Sequence, residues 1–278
     1  MSVTEKALWT IERNLGGALT LDGIAEACGV SRFHLAHAFG QSTGHSVMQF
    51  VRARHLSEAA RRLAAGAPDI LGLALQSGYE SHEAFSRAFK ARFGLTPETV
   101  RANATVEGHA LLDALPAARS ESAALSSPRY VDGRGWRAVG LSARYAFGAT
   151  QGIAGQWQRF MESAFAGIAD RLDTIPIGLA VGIDDEGSFD YVAAVEVARV
   201  SSVPAGLVKI EVASCRWAVF AHAGHITALS HTYAAIWDRW LPQHGALRRD
   251  APTIEQHRPT FDTRTGYGGV DIWIPVAG

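Results

Sequence analysis

The feature that most constrains this 278-residue chain is an internal repeat at an offset of fifty residues. Phe39, Gly44 and Ser46 recur as Phe89, Gly94 and Thr96, and earlier in each copy Gly29-Val30-Ser31 is echoed by Gly78-Tyr79 and Ser81, with one extra residue before the second serine. A fixed offset means one supersecondary unit used twice. Each copy reads as helix, tight turn, helix. In the first, Leu21, Ile24 and Ala25 form an apolar stripe behind Thr20, whose hydroxyl can cap a helix. Gly29 supplies the turn, and Ser31 opens a second helix over Arg32–Gln41 with Leu35, Ala38 and Phe39 inward. The opposite side carries Arg32, Phe33, Ala36 and His37. In the second copy Ile70, Leu73 and Ala74 pack, Gly78 turns, and a helix over Ser81–Phe93 buries Phe85, Ala88, Phe89 and Phe93. Its outward side presents His82, Glu83, Ser86, Arg87 and Lys90. A long helix over Ser46–Ala65 joins the copies.

A lone pattern of this kind also occurs as a plain helical hairpin with a glycine turn; two copies at a fixed offset, each ending Phe-x4-Gly-x-Ser/Thr, point more specifically to duplex DNA. One helix braces the backbone while the next offers its first outward side chains to base edges in the major groove. A rigid connector then spaces two readers about one turn, ~34 Å, apart. Composition permits this without demanding it. The net charge is -1 and the pI about 6.8, which excludes a uniformly basic binder. Residues 1–102 nevertheless hold eleven Lys/Arg against nine Asp/Glu and five histidines.

Residues 1–101 resemble the double helix-turn-helix DNA-binding domain of the AraC/XylS family of transcription regulators. The resemblance rests on Ile24-Ala25, Gly29-Val30-Ser31, Leu35, Phe39, Gly44-His45-Ser46, Arg54, Gly78-Tyr79, Phe85, Phe89-Lys90, Phe93-Gly94 and Thr96-Pro97. It implies DNA contacts from Arg32, Phe33, Ala36 and His37 in the first unit and from His82, Glu83, Ser86 and Arg87 in the second. Arg87 suits guanine, whose O6 and N7 a guanidinium bonds together; a phosphate clamp is the alternative. Glu83 can accept from cytosine N4 or remain a solvated helix residue. Ser31, Ser81, Arg52 and Lys90 are phosphate candidates, and His45 and His55 are expected to pack on the connecting helix. Double-stranded DNA and RNA polymerase are the partners this resemblance implies.

The stretch 102–129 is rich in Ala and Ser, with Pro116 and Pro128, and reads as a linker. Beyond it, strand and helix patterns alternate in an α+β domain over 130–278. A strand (Trp136–Phe147), a helix (Gly152–Arg171) and a strand pair (Ile177–Ile183, Tyr191–Ala198) are followed by a strand-like segment at Leu207–Val212 and then a second set: Arg216–Ala223, Ile226–Leu241, about Thr253–His257 and Val270–Val276. A duplicated strand-helix-strand-strand unit commonly holds ligand in the cleft between its halves. Candidate lining residues are Tyr145, Phe147, Trp217 and Trp273, with two acids inside apolar strands, Glu196 and Glu255. Strand alternation can also turn either acid to solvent. The aromatics Trp157, Tyr191, Tyr233, Trp237 and Trp240 complete the dense set, and those at helical spacing read as core.

Residues 130–278 resemble the GyrI-like small-molecule-binding domain, on Ala138-Val139-Gly140-Leu141, Tyr191–Val197, Pro204-Ala205-Gly206, Ala221-His222-Ala223-Gly224, Trp237, Glu255 and Asp271-Ile272-Trp273-Ile274-Pro275-Val276. The order of domains resembles Rob-type regulators. The resemblance implies a glutamate among aromatics, Glu255, that meets a hydrophobic or cationic effector. It departs from the pattern at Gln256-His257, where many relatives place a tyrosine. A hydrolase of reactive small molecules, with Glu255 helping water attack between aromatic walls such as Trp273 or Tyr145, and a ligand-independent regulator are the alternatives. No cofactor or metal motif is evident; His222, His225 and His231 lack a convergent acidic or cysteine partner. Cys28 and Cys215 are too few and too far apart for a disulfide scaffold, the first residues include Glu5 and Glu12 rather than a leader-like apolar run, and no run approaches the ~18 apolar residues of a membrane span. A cytoplasmic, non-enzymatic regulator is the expectation.

Overall fold

The computed structural model describes residues 1–17, 19–114, 125–172, 175–184, 186–244 and 251–277. They form two compact units, one drawn from residues 1–119 and one whose bulk is 120–278.

The helical unit comprises α1 (Val3–Arg13), α2 (Leu21–Cys28), α3 (Arg32–Thr43), α4 (Val47–Ala64), α5 (Ile70–Gln76), α6 (His82–Phe93) and α7 (Pro97–Asn103). The repeat is visible in its punctuation. Thr20 Oγ accepts from the Gly23 amide (3.1 Å) and Asp69 Oδ1 from Gly72 (2.9 Å), while Ser31 and Ser81 cap α3 and α6 in the same way. Gly29 and Gly78 turn the chain with φ of 71° and 80°, a region costly to any residue with a Cβ. The 18 residues of α4 make a rod of about 27 Å. Around its second half, Leu56, Ala59, Ala60 and Leu63 meet Ile70, Leu73, Ala74, Phe85 and Phe89 in one buried cluster. Arg54 on α4 is fully covered and donates to both carboxylate oxygens of Glu12 (2.7 Å each) and to the Leu112 carbonyl (2.7 Å), so α1, α4 and the chain after α7 are tied at one point. His55 packs as expected, its Nδ1 3.1 Å from the Ser77 carbonyl.

The linker boundary differs from expectation. The chain continues in α7 to Asn103, and Val106 and Leu111 pack on the helical core. Those two apolar residues are joined there by hydrogen bonds from Arg54 to the Leu112 carbonyl, from the Leu112 N–H to Ser57 Oγ and from Arg92 to the Ala110 carbonyl. At the other end, Arg129 already belongs to a strand. Residues 115–124, including Pro116, lie outside the described residues.

The second unit is an eight-stranded antiparallel sheet: β1 (Arg129–Gly133), β2 (Trp136–Ala146), β3 (Ile177–Val181), β4 (Ser188–Val197), β5 (Val208–Val212), β6 (Cys215–His222), β7 (Thr253–His257) and β8 (Val270–Val276), in spatial order β1-β6-β8-β7-β3-β4-β2-β5. Exchanging each strand for the one four later reproduces this order reversed. The domain is therefore a duplication about an axis between β3 and β7. The repeating unit has one more strand than the expected strand-helix-strand-strand unit, since β1 and β5 each lead a half; β5 falls on the segment read at Leu207–Val212, and β1 was not expected. Only Arg134 and Gly135 join β1 to β2, and only Ala213 and Ser214 join β5 to β6, although these strands lie toward opposite ends of the sheet. Such short links force the sheet to curl. Its inner face gathers residues from both ends, with Val131, Trp217, Val219 and Trp273 packed in one cluster with Trp136, Ala138, Ile210 and Val212.

Helices cover the outer face. The predicted helix over Gly152–Arg171 is interrupted: α8 (Ile153–Arg159) passes into a π-turn segment at Phe160–Ala164 and a 3-10 turn ending at Gly167, where the Arg171 guanidinium donates to the Phe165, Ala166 and Ile168 carbonyls. In the other half α9 (Leu229–Ala235) passes into a π segment at Ile236–Trp240 and then α10 (Leu241–His244). The same irregularity at the same place in both halves is a property of the duplicated unit, and such widened turns often accompany functional sites. Among the described residues no helix is long and apolar enough to cross a membrane.

Candidate functional site

The two recognition helices differ in what they show. On α6, Glu83, Arg87 and Lys90 are exposed while Phe85 and Phe89 are buried. Arg87 and Lys90 make no ion pair with any described residue. His82 is half-exposed and sits 2.9 Å from Glu98 on α7, Ser81 is occupied as the helix cap, and the Ser86 hydroxyl is covered and without a partner. On α3, Arg32 is exposed beside Asp22 at 3.5 Å and Ser31 caps the helix. Arg52 on α4 is exposed.

Ala36 and His37, expected to face outward, are buried at 6% and 5% exposure. His37 Nδ1 lies 2.9 Å from the Phe33 carbonyl one turn back, and its ring packs 4.2 Å from that of Phe33. A histidine bonded to its own helix lies along the helix instead of projecting from it. Burial pushes its imidazole down to about 3, so the ring is neutral.

The outer face of the sheet domain holds a carboxylate at the axis of the duplication. Glu255 on β7 pairs with Gly178 on β3. Tyr233, from α9, donates to Glu255 Oε1 (3.0 Å). Tyr191, from β4, donates to Oε2 (2.8 Å) and accepts from the Trp157 indole N–H of α8 (3.1 Å). Both halves of the domain thus converge on one charge. The reach of Tyr191 depends on an absence: any Cβ at position 178 would collide with its hydroxyl. Gln156, fully buried, fixes the same region by donating to the Leu141 (2.7 Å) and Tyr191 (2.8 Å) carbonyls.

Electrostatically the site is unbalanced. Burial raises the Glu255 carboxyl above the usual carboxylate range, and the two phenol hydrogen bonds pull partly against it. Burial and then the neighbouring carboxylate lift both Tyr191 and Tyr233, so they remain hydrogen-bond donors. No described basic side chain pairs with Glu255, yet the residue keeps a partial opening to solvent. The walls are aromatic. Tyr145, Phe147 and Phe189 cluster with Tyr191 and Trp157, and His257 lies 5.5 Å from Trp157 and stacks on Phe261 at 4.2 Å.

Of the six expected lining residues, Tyr145, Phe147 and Glu255 share this face. Trp217, Trp273 and Glu196 do not. Trp217 and Trp273 pack against each other at 6.3 Å inside the curl, because Trp273 is one residue out of phase with Ile272, the partner of Glu255. Glu196 alternates with Val195 onto the other side, half-buried near Arg134 at 3.9 Å. Sequence reasoning missed Tyr191, Tyr233 and Trp157 as site residues. Strand parity was available for Tyr191, whereas the two helix residues looked like ordinary core. The tyrosine absent beside Glu255 in sequence is supplied in space by Tyr191 and Tyr233. Among the described residues no cluster of three His, Cys, Asp or Glu is arranged to hold a metal; His222 instead bonds Thr232 at 2.8 Å.

A family model for the GyrI-like small molecule binding domain matches residues 128–277, and one for a helix-turn-helix domain matches 24–103. The chain belongs to the GyrI-like family, joined to an AraC-type helix-turn-helix domain in the domain order of Rob, and is a DNA-binding transcription regulator. Transcriptional regulator Rob of Salmonella typhimurium is 24% identical over 271 residues, spanning 95% of this chain and 92% of that protein. Right origin-binding protein of Escherichia coli strain K12 matches to the same extent. Multiple antibiotic resistance protein MarA of Escherichia coli strain K12 is 38% identical over 91 residues, 33% of this chain and 72% of that protein.

Proposed function

We propose that this regulator reads duplex DNA with α3 and α6 and that its sheet domain takes a hydrophobic organic cation at Glu255. One observation carries the effector reading: a crowded carboxylate at the axis of the domain has two phenols and aromatic walls around it but no positive partner among the described residues. Removing a carboxylate from water costs several kcal/mol unless a cation compensates, and aromatic faces add about 0.5–2 kcal/mol of cation–π attraction. A bound cation offsets that cost, so occupancy stabilises the ionised domain. The effector alters regulation only through a difference in its affinity for two states of the protein, read out at the promoter and through RNA polymerase.

Titration of the full chain with an aromatic cationic dye, followed by tryptophan quenching, tests this. Saturable binding that weakens at least tenfold in Glu255→Gln is expected, with a neutral dye of similar size binding poorly to both. Equal affinity of the variant and wild-type chains for the cation would sink the assignment.

A further inference from the structure

His222 on β6 shows how a structural histidine is used in this domain. Its Nδ1 lies 2.8 Å from the Thr232 hydroxyl and its Nε2 3.0 Å from the His225 carbonyl. His257 is placed differently. It stands two residues beyond Glu255 on β7, so strand alternation turns it to the same face. Its ring stacks on Phe261, with centroids 4.2 Å apart and 17° between the planes, and lies 5.5 Å from Trp157, the indole that bonds Tyr191. The stack is braced. The Phe261 amide donates to the Arg258 carbonyl (2.9 Å), and the Arg258 guanidinium is held by Asp271 (2.6 Å). Yet neither ring nitrogen of His257 has a hydrogen-bond partner among the described residues. The residue is half-buried, and its nitrogens are not sealed from solvent, unlike the unpartnered Oε1 of Gln156. Burial holds the imidazole below its ordinary 6.5, so at neutral pH it offers one N–H and one lone pair.

We propose that His257 selects among cations: its imidazole hydrogen-bonds a second, neutral polar group on the aromatic body of the effector, a hydroxyl, amide or amino group, while Glu255 holds the charge. The inference rests on the reading of Glu255 as a cation site. Two residues of strand separate the Cα atoms by about 6.7 Å, so the polar group lies at roughly that distance from the charged atom. A hydrocarbon cation covering the ring would strip water from both nitrogens and replace neither bond, and an unmade hydrogen bond of that kind is disfavoured. A cation with a hydroxyl in reach restores one. The effector is accordingly an elongated aromatic cation with a polar substituent.

Two rigid probes test this: 2-naphthyltrimethylammonium and its 6-hydroxy derivative, which differ only in a hydroxyl at the far end of the ring system. Calorimetric titration gives the affinity of each for the full wild-type chain, Glu255→Gln and His257→Phe. Wild type is expected to prefer the hydroxylated probe by about three- to tenfold, the worth of one net hydrogen bond. His257→Phe keeps a ring to stack on Phe261 but has no nitrogen, so the preference should vanish while the plain probe binds at least as tightly as to wild type. His257→Leu replaces it if a thermal scan shows that the phenylalanine chain does not fold. No preference in wild type, or a preference of the same size in the apolar variant, overturns the inference. If both probes still weaken at least tenfold in Glu255→Gln, only the role of His257 then falls. If neither probe weakens in Glu255→Gln, the cation reading itself fails and takes this inference with it.

Discussion

The two faces of the curled sheet are made from the same strands and differ by one residue of phase. On the inner face Trp217, Val219, Ile254 and Leu179 form a continuous apolar cluster that joins both ends of the sheet. On the outer face, the next residues along include Glu255 with its two phenols and the indole of Trp157. One face is occupied with holding the curl closed. The other holds a carboxylate that no basic side chain among the described residues neutralises. Stability and recognition are thereby assigned to opposite sides of one layer, and mutations should respect that separation.

The inner face should give the largest energetic effect. Trp217 is 2% exposed, and truncating a large core aromatic to alanine costs ~3–5 kcal/mol. Trp217→Ala should lower the unfolding free energy of the sheet domain by that amount, read as a fall in its urea midpoint at unchanged slope, while the fraction that remains folded binds the cationic dye with unchanged affinity. A binding defect in that folded fraction would show that the faces are coupled. Gly178→Val sits on the boundary between the two roles. The added side chain displaces Tyr191 from Glu255, overpacking that costs ~1–3 kcal/mol, so both the midpoint and dye affinity should fall. Tyr191→Phe removes one hydroxyl and strands the Trp157 N–H and one carboxylate oxygen, an expected loss of ~1–3 kcal/mol. Unlike the tryptophan variant, it should weaken dye binding as well. A phenylalanine variant with wild-type affinity would mean that the phenol is structural only.

How much of this was legible in the sequence follows from the range of the interactions involved. The helix-turn-helix units were, because Thr20, Gly29, Ser31, Gly78 and Ser81 act within a few residues of themselves through caps and positive-φ turns. The duplication of the sheet domain was visible in the order of strands and helices, but β1 and the curl were not, since both depend on pairing between distant segments. Glu255 was found as an acid in an apolar strand. Its surroundings were only half found: Trp273 and Trp217 were assigned by composition, and strand phase puts them behind the sheet. Tyr233 reaches Glu255 from another element altogether, and the decisive role of Gly178 is a missing side chain, to which hydrophobic patterning gives no weight. His37 shows the same limit on a helix, where position on the wheel predicted exposure but a bond to the Phe33 carbonyl turned the ring aside.

The smallest expected effect is a pH dependence that distinguishes the outer face from the inner one. Burial raises the Glu255 carboxyl above its ordinary 4.5. A group raised in the folded state favours folding below its unfolded value, and that contribution is lost as pH rises through the folded value. The empty domain thus becomes slightly less stable on ionisation, and a bound cation removes the penalty. Cation affinity should rise as pH climbs from below 4.5 through the raised value and then level off. His257, also in the wall, is lowered by burial from 6.5, so the pH range in which it could gain a competing charge is displaced downward. Dye titrations across pH 4–8 should show the rise in wild type and in His257→Gln, and a flat profile in Glu255→Gln, whose side chain does not ionise. A rise that survives in Glu255→Gln but disappears in His257→Gln would transfer the titrating role to the imidazole, whose protonation repels the same ligand. Inner-face variants such as Trp217→Ala should leave the shape of the profile intact, because no titrating group of the site lies on that side.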